Sequence, residues 1–161
     1  MTIVLTGATG GLGSQVLKAL LTLVPPNTLR ISTPDPSKVS ADVKSAGVHV
    51  VQGDFGHPDT LREAFAGADT LLIVSYPSIA HDERVRMHTN AVDAAKRAGV
   101  QHVFYTSLAF DPEGGAAVMQ AHRDTEAYIK TSGLTYTIVR EGIYSESYPL
   151  YLGIFSLVPH H

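Results

Sequence analysis

Glycines stand at positions 7, 10, 11 and 13 of TIVLTGATGGLGSQVLKAL, between an apolar run and a helix-like run. Ile3, Val4 and Leu5 are strand formers in a short continuous apolar run, the pattern of a strand buried on both faces. Beyond Ser14, the apolar residues Val16, Leu17, Ala19, Leu20 and Leu23 recur at helical spacing. The glycines therefore occupy a strand-to-helix turn. A helix start carries free N–H groups and a partial positive charge, and both attract an anion. Glycine lets the main chain turn tightly and lets a phosphate approach without meeting a Cβ. On this reading Gly7 makes the turn, Gly10 admits a pyrophosphate and Gly13 lets the helix pack close to the strand. The spacing is G-x-x-G-x-x-G rather than the dehydrogenase-type G-x-G-x-x-G. Its flanking strand and helix favour a dinucleotide site over an ordinary glycine-rich turn.

Such a turn needs a sheet to hold it, and the rest of the chain supplies the pattern. Strand-like runs fall at 2–6, 28–33, 48–52, 69–74, 102–106 and 134–139, and helix-like runs at 12–23, 36–46, 58–66, 82–98 and 116–132. Each strand is short, apolar and followed by a crossover long enough for a helix. This predicts an α/β fold, a doubly wound parallel sheet of about six strands in the order 3-2-1-4-5-6 with helices on both faces. Pro36 and Pro58 suit first helical positions, and Gly47, Gly99 and Gly133 stand where helices should stop. The 161 residues make one ordinary domain, with no repeat and no interdomain linker.

Ligands in such sheets sit beyond the carboxyl ends of the strands. That rule selects Gly7–Gly13, Thr33–Lys38, Asp54–Phe55, Ser75–Pro77, Ser107–Ala109 and Arg140–Tyr144. The end of the second strand should meet the adenosine ribose. Asp35 there either accepts from ribose hydroxyls or, more simply, caps the helix that Pro36 begins. Ser37 and Lys38 are placed to receive a 2′-phosphate, or Lys38 is a solvated surface charge. Asp54 can accept from the adenine amino group while Phe55 covers the ring; a turn with a buried aromatic fits equally. Ser75 could touch a phosphate or ribose, and Tyr76 and Pro77 could wall a nicotinamide pocket, although Pro77 alone would explain a strand-ending turn. Ser107 has a hydroxyl where substrate and nicotinamide should meet, or it is an ordinary loop serine. His122, on the following helix, could orient a ribose or shuttle a proton, provided it points inward. His88 shares a helical face with Ala91, Ala95 and Ala98, which favours a hydrogen-bonded core histidine over a ligand.

Several chemistries lack their residues. Tyr128 is followed four positions on by Ser132, so no Tyr-x-x-x-Lys proton relay stands on the last helix. The histidines show no metal-site spacing, so no metal is expected, and no carboxylate pair suggests acid–base hydrolysis. There is no cysteine and hence no thiolate or disulfide chemistry. A formal charge of −3 gives no basic footprint for nucleic acid. MTIVLTG enters a strand without a basic leader, and the longest apolar stretch, YPLYLGIFSLVP, is too short to span a bilayer. A soluble cytoplasmic protein is the expectation.

Four blocks, VLTGATGGLGSQVLKAL, GDFGHPDTLREAFAGADTLLIVS, ERVRMHTNAVDAAKRAGVQHVFYTSLAF and AHRDTEAYIKTSGLTYTIVREGIYSESYPLY, together resemble the NmrA-like group of atypical short-chain dehydrogenases. Within that group they are most similar to NADPH-dependent quinone oxidoreductases and fungal NmrA-like oxidoreductases. The resemblance runs from residue 2 to about residue 152. It implies a Rossmann-like NAD(P)-binding domain over 1–147, usually for NADP. By position it puts Gly7, Thr9, Gly10, Gly11, Leu12 and Gly13 in the phosphate loop and Asp54 and Phe55 beside adenine; Thr33 and Lys38, at the end of the second strand, stand among the cofactor-binding candidates on their position alone. Ser75, Tyr76, Pro77, Ser107 and the Glu141–Tyr144 turn would surround the nicotinamide. Ser107, His122 and Tyr144 are then the candidate catalytic groups. Hydride delivery to an electron-poor small molecule, such as a quinone or an unsaturated carbonyl, needs no tyrosine–lysine pair. Many relatives carry an arginine after the second strand where Pro34 stands here, which keeps NAD beside NADP as a cofactor, and many have lysine near the position of His122. Relatives also continue into a smaller substrate lobe, of which residues 148–161 would be a short apolar remnant. The alternatives are a redox-sensing regulator that binds dinucleotide without turnover and a shortened inactive homologue. The apolar tail, from Tyr148 to Val158, is expected to pack on a partner or a second copy.

Overall fold

The computed structural model describes residues 1–109, 117–142 and 144–147. Its sheet contains β1 (Ile3–Thr6), β2 (Leu29–Thr33), β3 (His49–Gln52), β4 (Thr70–Ile73), β5 (His102–Leu108) and β6 (Thr135–Glu141). All pairings are parallel, in the order β3-β2-β1-β4-β5-β6. Every residue of β1 is buried, as a central strand covered on both faces requires.

The alternation of β1 divides the core. Ile3 and Leu5 face one layer with Leu17 of α1 (Gly11–Leu23), Ile31, Val39 and Val48. Val4 faces the other, packed with Phe65 of α3 (Pro58–Phe65), Ala91 and Val92 of α4 (His81–Ala98), Ile129 of α5 (Ala117–Thr131) and Tyr105. Leucines 61 and 71, Phe65 and Tyr105 are fully buried, each contributing roughly 1.5–3 kcal/mol by leaving water. At the C-terminus of α4, Gly99 adopts φ of 72°, a left-handed cap that the sequence places correctly. Among the described residues, no helix is long and apolar enough to cross a membrane.

One expected element divides. The helix predicted over 36–46 is a 3-10 turn at Pro36–Lys38 followed by the short α2 (Ala41–Ser45). Between them Val39 is extended, with ψ of 128°, and its side chain is buried beside β2. Seating Val39 in the core takes the chain out of helical geometry, and Ser40 restarts it. The apolar tail at 148–161 lies outside the described residues.

Thr6 ties β1 to β4 where their pairing ends. Its Oγ1 donates to Leu72 O at 3.1 Å and accepts from Val74 N–H at 3.0 Å. Thr6→Val removes both bonds in a buried position and is expected to lower unfolding free energy by about 1–3 kcal/mol. Urea denaturation checks this, and Thr6→Ser should recover most of the loss.

Candidate functional site

A cleft of about 430 Å³ opens across the carboxyl ends of β2, β1 and β4. Its floor is the glycine turn. Gly7 has φ of +66°, and a Cβ there would lie 2.9 Å from Val74 Cβ. Gly10 N–H donates back to Gly7 O at 2.9 Å and closes the turn. Gly13 packs tightest: a Cβ would meet Gly7 O at 2.1 Å and Gly7 C at 2.6 Å. The helix start of α1 has no side-chain cap and no acidic residue in its first turn. Its opening amides, on Gly11, Leu12 and Gly13, have no intrahelical acceptor and stand at the positive end of the dipole. Such amides can receive an anion, and the first turn of α1 sets no carboxylate against one.

The second wall comes from β2 and β3. Ser32 Oγ is buried without a hydrogen-bond partner among the described residues, and Ser32 lines the cleft. Gly53 abuts it, since a Cβ there would fall 2.1 Å from Ser32 Oγ. An orphaned hydroxyl in a cleft fits a polar ligand that completes it. Asp54 and Phe55 follow. The Asp54 carboxylate takes Gly56 N–H at 2.8 Å and His57 Nδ1 at 2.9 Å, while Asp54 N–H donates to Thr60 Oγ1 at 2.9 Å. Despite its partial burial, the bonds from His57 and Gly56 keep its pKa below the ordinary carboxylate value. Phe55 is held by Asn90 Nδ2 donating to its carbonyl at 2.8 Å. Pro34 completes this side.

The third wall is Ser75–Tyr76–Pro77, with Tyr144 also lining the cleft. Ser75 N–H donates to Thr106 Oγ1 at 2.9 Å, and Tyr76 N–H to His88 Nε2 at 2.8 Å. His88 is thus the bonded core histidine that its helical face suggests. Burial, with His122 and Arg84 nearby, lowers its pKa to about 3. Tyr144 Oη donates to Glu141 Oε2 at 2.9 Å; burial, then this carboxylate, raises the Tyr144 pKa to about 12.

Of the residues selected from sequence, Gly7, Thr9, Gly10, Gly11, Leu12, Gly13, Asp54, Phe55, Ser75, Tyr76, Pro77 and Tyr144 meet in this cleft. Others are placed behind or beside it. Ser107 is buried and donates to Glu126 Oε1 at 2.8 Å, because strand alternation turns it toward α5. Arg140 holds the same carboxylate at 2.9 and 2.6 Å, and this bond above all lowers the Glu126 pKa to about 2. His122 is buried between Tyr105 Oη and Arg84 Nη1, each at 2.8 Å, with burial lowering its pKa to about 4. Thr33 is buried against the Asp35 backbone. Lys38 is exposed, 3.9 Å from an Asp35 carboxylate that caps Ser37 N–H at 3.0 Å; the cap role of Asp35 is the one observed. Glu141 serves as acceptor for Tyr144. Thr6, Ser32, Gly53 and Val74 line the cleft without having been singled out. Ser32 left a signal, a polar residue inside the buried run LRIST.

Comparison with known proteins agrees with this geometry. Residues 7–149 match the model of a family described as NAD(P)H-binding. The chain is 40% identical over 157 residues to the NmrA-like family domain-containing oxidoreductase flvB of Aspergillus flavus, covering 94% of this chain and 51% of that protein. It is 36% identical over 146 residues to quinone oxidoreductase 2 of Escherichia coli, covering 91% of this chain and 50% of that one. The crystal structure of Citrobacter sp. triphenylmethane reductase complexed with NADP(H) superposes with a TM-score of 0.87 at 34% identity, over 92% of this chain and 52% of that one. The chain therefore spans about half the length of the relatives it matches. A family match that begins at Gly7 of the glycine turn and runs past β6, on a sheet of this order, makes the chain a member of the NmrA-like NAD(P)H-binding family.

Proposed function

We propose that this chain is the dinucleotide-binding part of an NADPH-dependent oxidoreductase, acting in the cytoplasm on a small electron-poor molecule such as a quinone or an unsaturated carbonyl. The observation that carries the reading is the uncapped start of α1 on a glycine cradle, continuous with the Ser75–Tyr144 end of one cleft. The amides of Gly11, Leu12 and Gly13 hold the diphosphate, Asp54 and Phe55 flank the adenine, and Ser32 gives its orphaned hydroxyl to the adenosine end. Ser75, Tyr76, Pro77 and Tyr144 border the nicotinamide. When bound, the dinucleotide supplies a hydride; the protein orients it and shields one face. Residues 1–147 form the binding domain. The named relatives support a reductase using NADP(H).

Spectrophotometry at 340 nm (the absorbance band of reduced nicotinamide) tests the reading. Purified protein should consume NADPH faster than NADH when given a panel of quinones and enones. Tight NADPH binding with no consumption across the panel would point instead to a dinucleotide-sensing regulator.

A further inference from the structure

Behind the cleft lies a buried guanidinium with no carboxylate against it among the described residues. Arg84, in the first turn of α4, is only 8% exposed. Its Nε donates to Ser78 O at 2.6 Å, and its Nη1 lies 3.1 Å from Ser75 Oγ and 2.8 Å from His122 Nε2. Among the described residues no carboxylate pairs with it. A guanidinium keeps its charge when buried, and burial without a counter-ion is costly. The residues it touches therefore matter.

Following the hydrogens through this cluster leaves those of Tyr105 and Ser75 to be placed. His122 Nε2 accepts from Arg84, so the His122 proton sits on Nδ1 and is donated to Tyr105 Oη. His88 Nε2 accepts from Tyr76 N–H at 2.8 Å, so its proton sits on Nδ1 and goes to Thr125 Oγ1 at 2.9 Å. Thr125 passes its own hydrogen to Ala121 O at 2.8 Å. Ser75 Oγ accepts from Arg84, and its hydrogen must point elsewhere. His88 Nε2, 3.4 Å away, is already engaged by the shorter bond from Tyr76. Tyr105 Oη, which also interacts with Ser75 and Thr125, already accepts from His122 and has its own hydrogen to donate among them, because His88 Nδ1 at 3.2 Å is itself a donor. The remaining direction is the cleft, which Ser75 lines.

We propose that Arg84 is a positioning residue that makes Ser75 a hydrogen-bond donor into the cleft, so that the end beside Tyr76 and Tyr144 takes a ligand with a carbonyl-type acceptor oxygen. The choice of a quinone or enone as that ligand rests on the oxidoreductase reading above. The buried charge polarises the Ser75 O–H, and the low local dielectric strengthens what that hydrogen bonds to. Arg84 does not touch the ligand; it acts through Ser75.

The test uses the full chain loaded with NADP⁺, so that nothing is reduced, with duroquinone as the carbonyl probe. Infrared difference spectra read the C=O stretch, and titration reads affinity. The stretch should move to lower wavenumber on binding. Ser75→Ala should abolish that downshift and weaken duroquinone about tenfold, and Ser75→Thr should restore both. Arg84→Met should diminish the downshift while leaving NADP⁺ affinity unchanged, and adding Ser75→Ala to it should cost nothing more. Should Arg84→Met not fold, the Ser75→Ala and Ser75→Thr pair decides. Absent duroquinone binding, a downshift that survives Ser75→Ala, or fully additive losses would overturn the proposal. A normal downshift in a protein that never oxidises NADPH would overturn the oxidoreductase reading and uphold the assignment of Ser75.

Discussion

Gly13→Ala will abolish dinucleotide binding, with a loss of affinity of about a hundredfold or more, equivalent to about 2.7 kcal/mol. The added Cβ would lie 2.1 Å from Gly7 O, a backbone atom already bonded to Gly10 N–H at 2.9 Å. No side chain can swing aside to relieve that overlap. The start of α1 must lift away from the end of β1, and the amides of Gly11, Leu12 and Gly13 move with it. Stability suffers as well, by roughly 1–3 kcal/mol or more for a forced overlap against backbone. Gly11→Ala is the control, because its Cβ would meet nothing within 4 Å and alanine is the better helix former. Calorimetric titration with NADPH and a urea midpoint for each variant separate the two effects. If Gly13→Ala bound as tightly as the unsubstituted chain, close packing of α1 on β1 would not be what shapes the cradle.

Mild acid will unfold the protein. His88 and His122 are buried and neutral, and burial lowers their folded pKa values to about 3 and about 4. In the unfolded chain both protonate near pH 6.5. Unfolding therefore takes up protons below that pH, and stability falls as pH falls, until the folded pKa values are reached. Well below pH 6.5 each imidazole's slope approaches about 1.4 kcal/mol per pH unit, so together they remove about 4 kcal/mol between pH 6.5 and pH 4.5. That is comparable with the whole stability of many domains. Glu126 acts in the same direction but lower. Its folded pKa of about 2 means that its contribution is present above the ordinary glutamate value and disappears as pH drops from about 4.5 toward 2. His81, whose pKa is raised by Asp82 and Asp124, works in the opposite sense, but it lies at the surface where such pairs are weak. Thermal melts from pH 7.5 to pH 4.5 should show a steep fall in Tm. His122→Gln should take about half of that slope away. A flat profile would mean that both imidazoles accept protons inside the fold.

Much of the sheet was legible in the chain because each strand is a short apolar run bounded by turn residues. The order β3-β2-β1-β4-β5-β6 follows from right-handed crossovers and the family resemblance. The glycine cradle was legible too, since only residues 7–13 need be read together. The helix expected at 36–46 was less so. Local propensity favours it, but Val39 has a place in the core that a continuous helix would deny it. The cluster behind the cleft was the least visible. Arg84 and His122 are separated by 38 positions and meet only because α4 and α5 pack side by side. His122 could be identified as a candidate from residue type, but not the direction in which its ring points. Ser107 shows the same limit. Its position at a strand end marks it for the cleft, whereas alternation along β5 and the Glu126 carboxylate draw it inward.

Backbone amide shifts give the most direct reading of where the diphosphate binds. NADP⁺ titrated into ¹⁵N-labelled protein should produce saturable shifts largest at the amides of Gly10, Gly11, Leu12 and Gly13, with smaller ones at Phe55 and Ser75. If NADP⁺ binds while those four amides stay unmoved, or if it perturbs only residues away from the start of α1, the diphosphate does not rest where this account puts it.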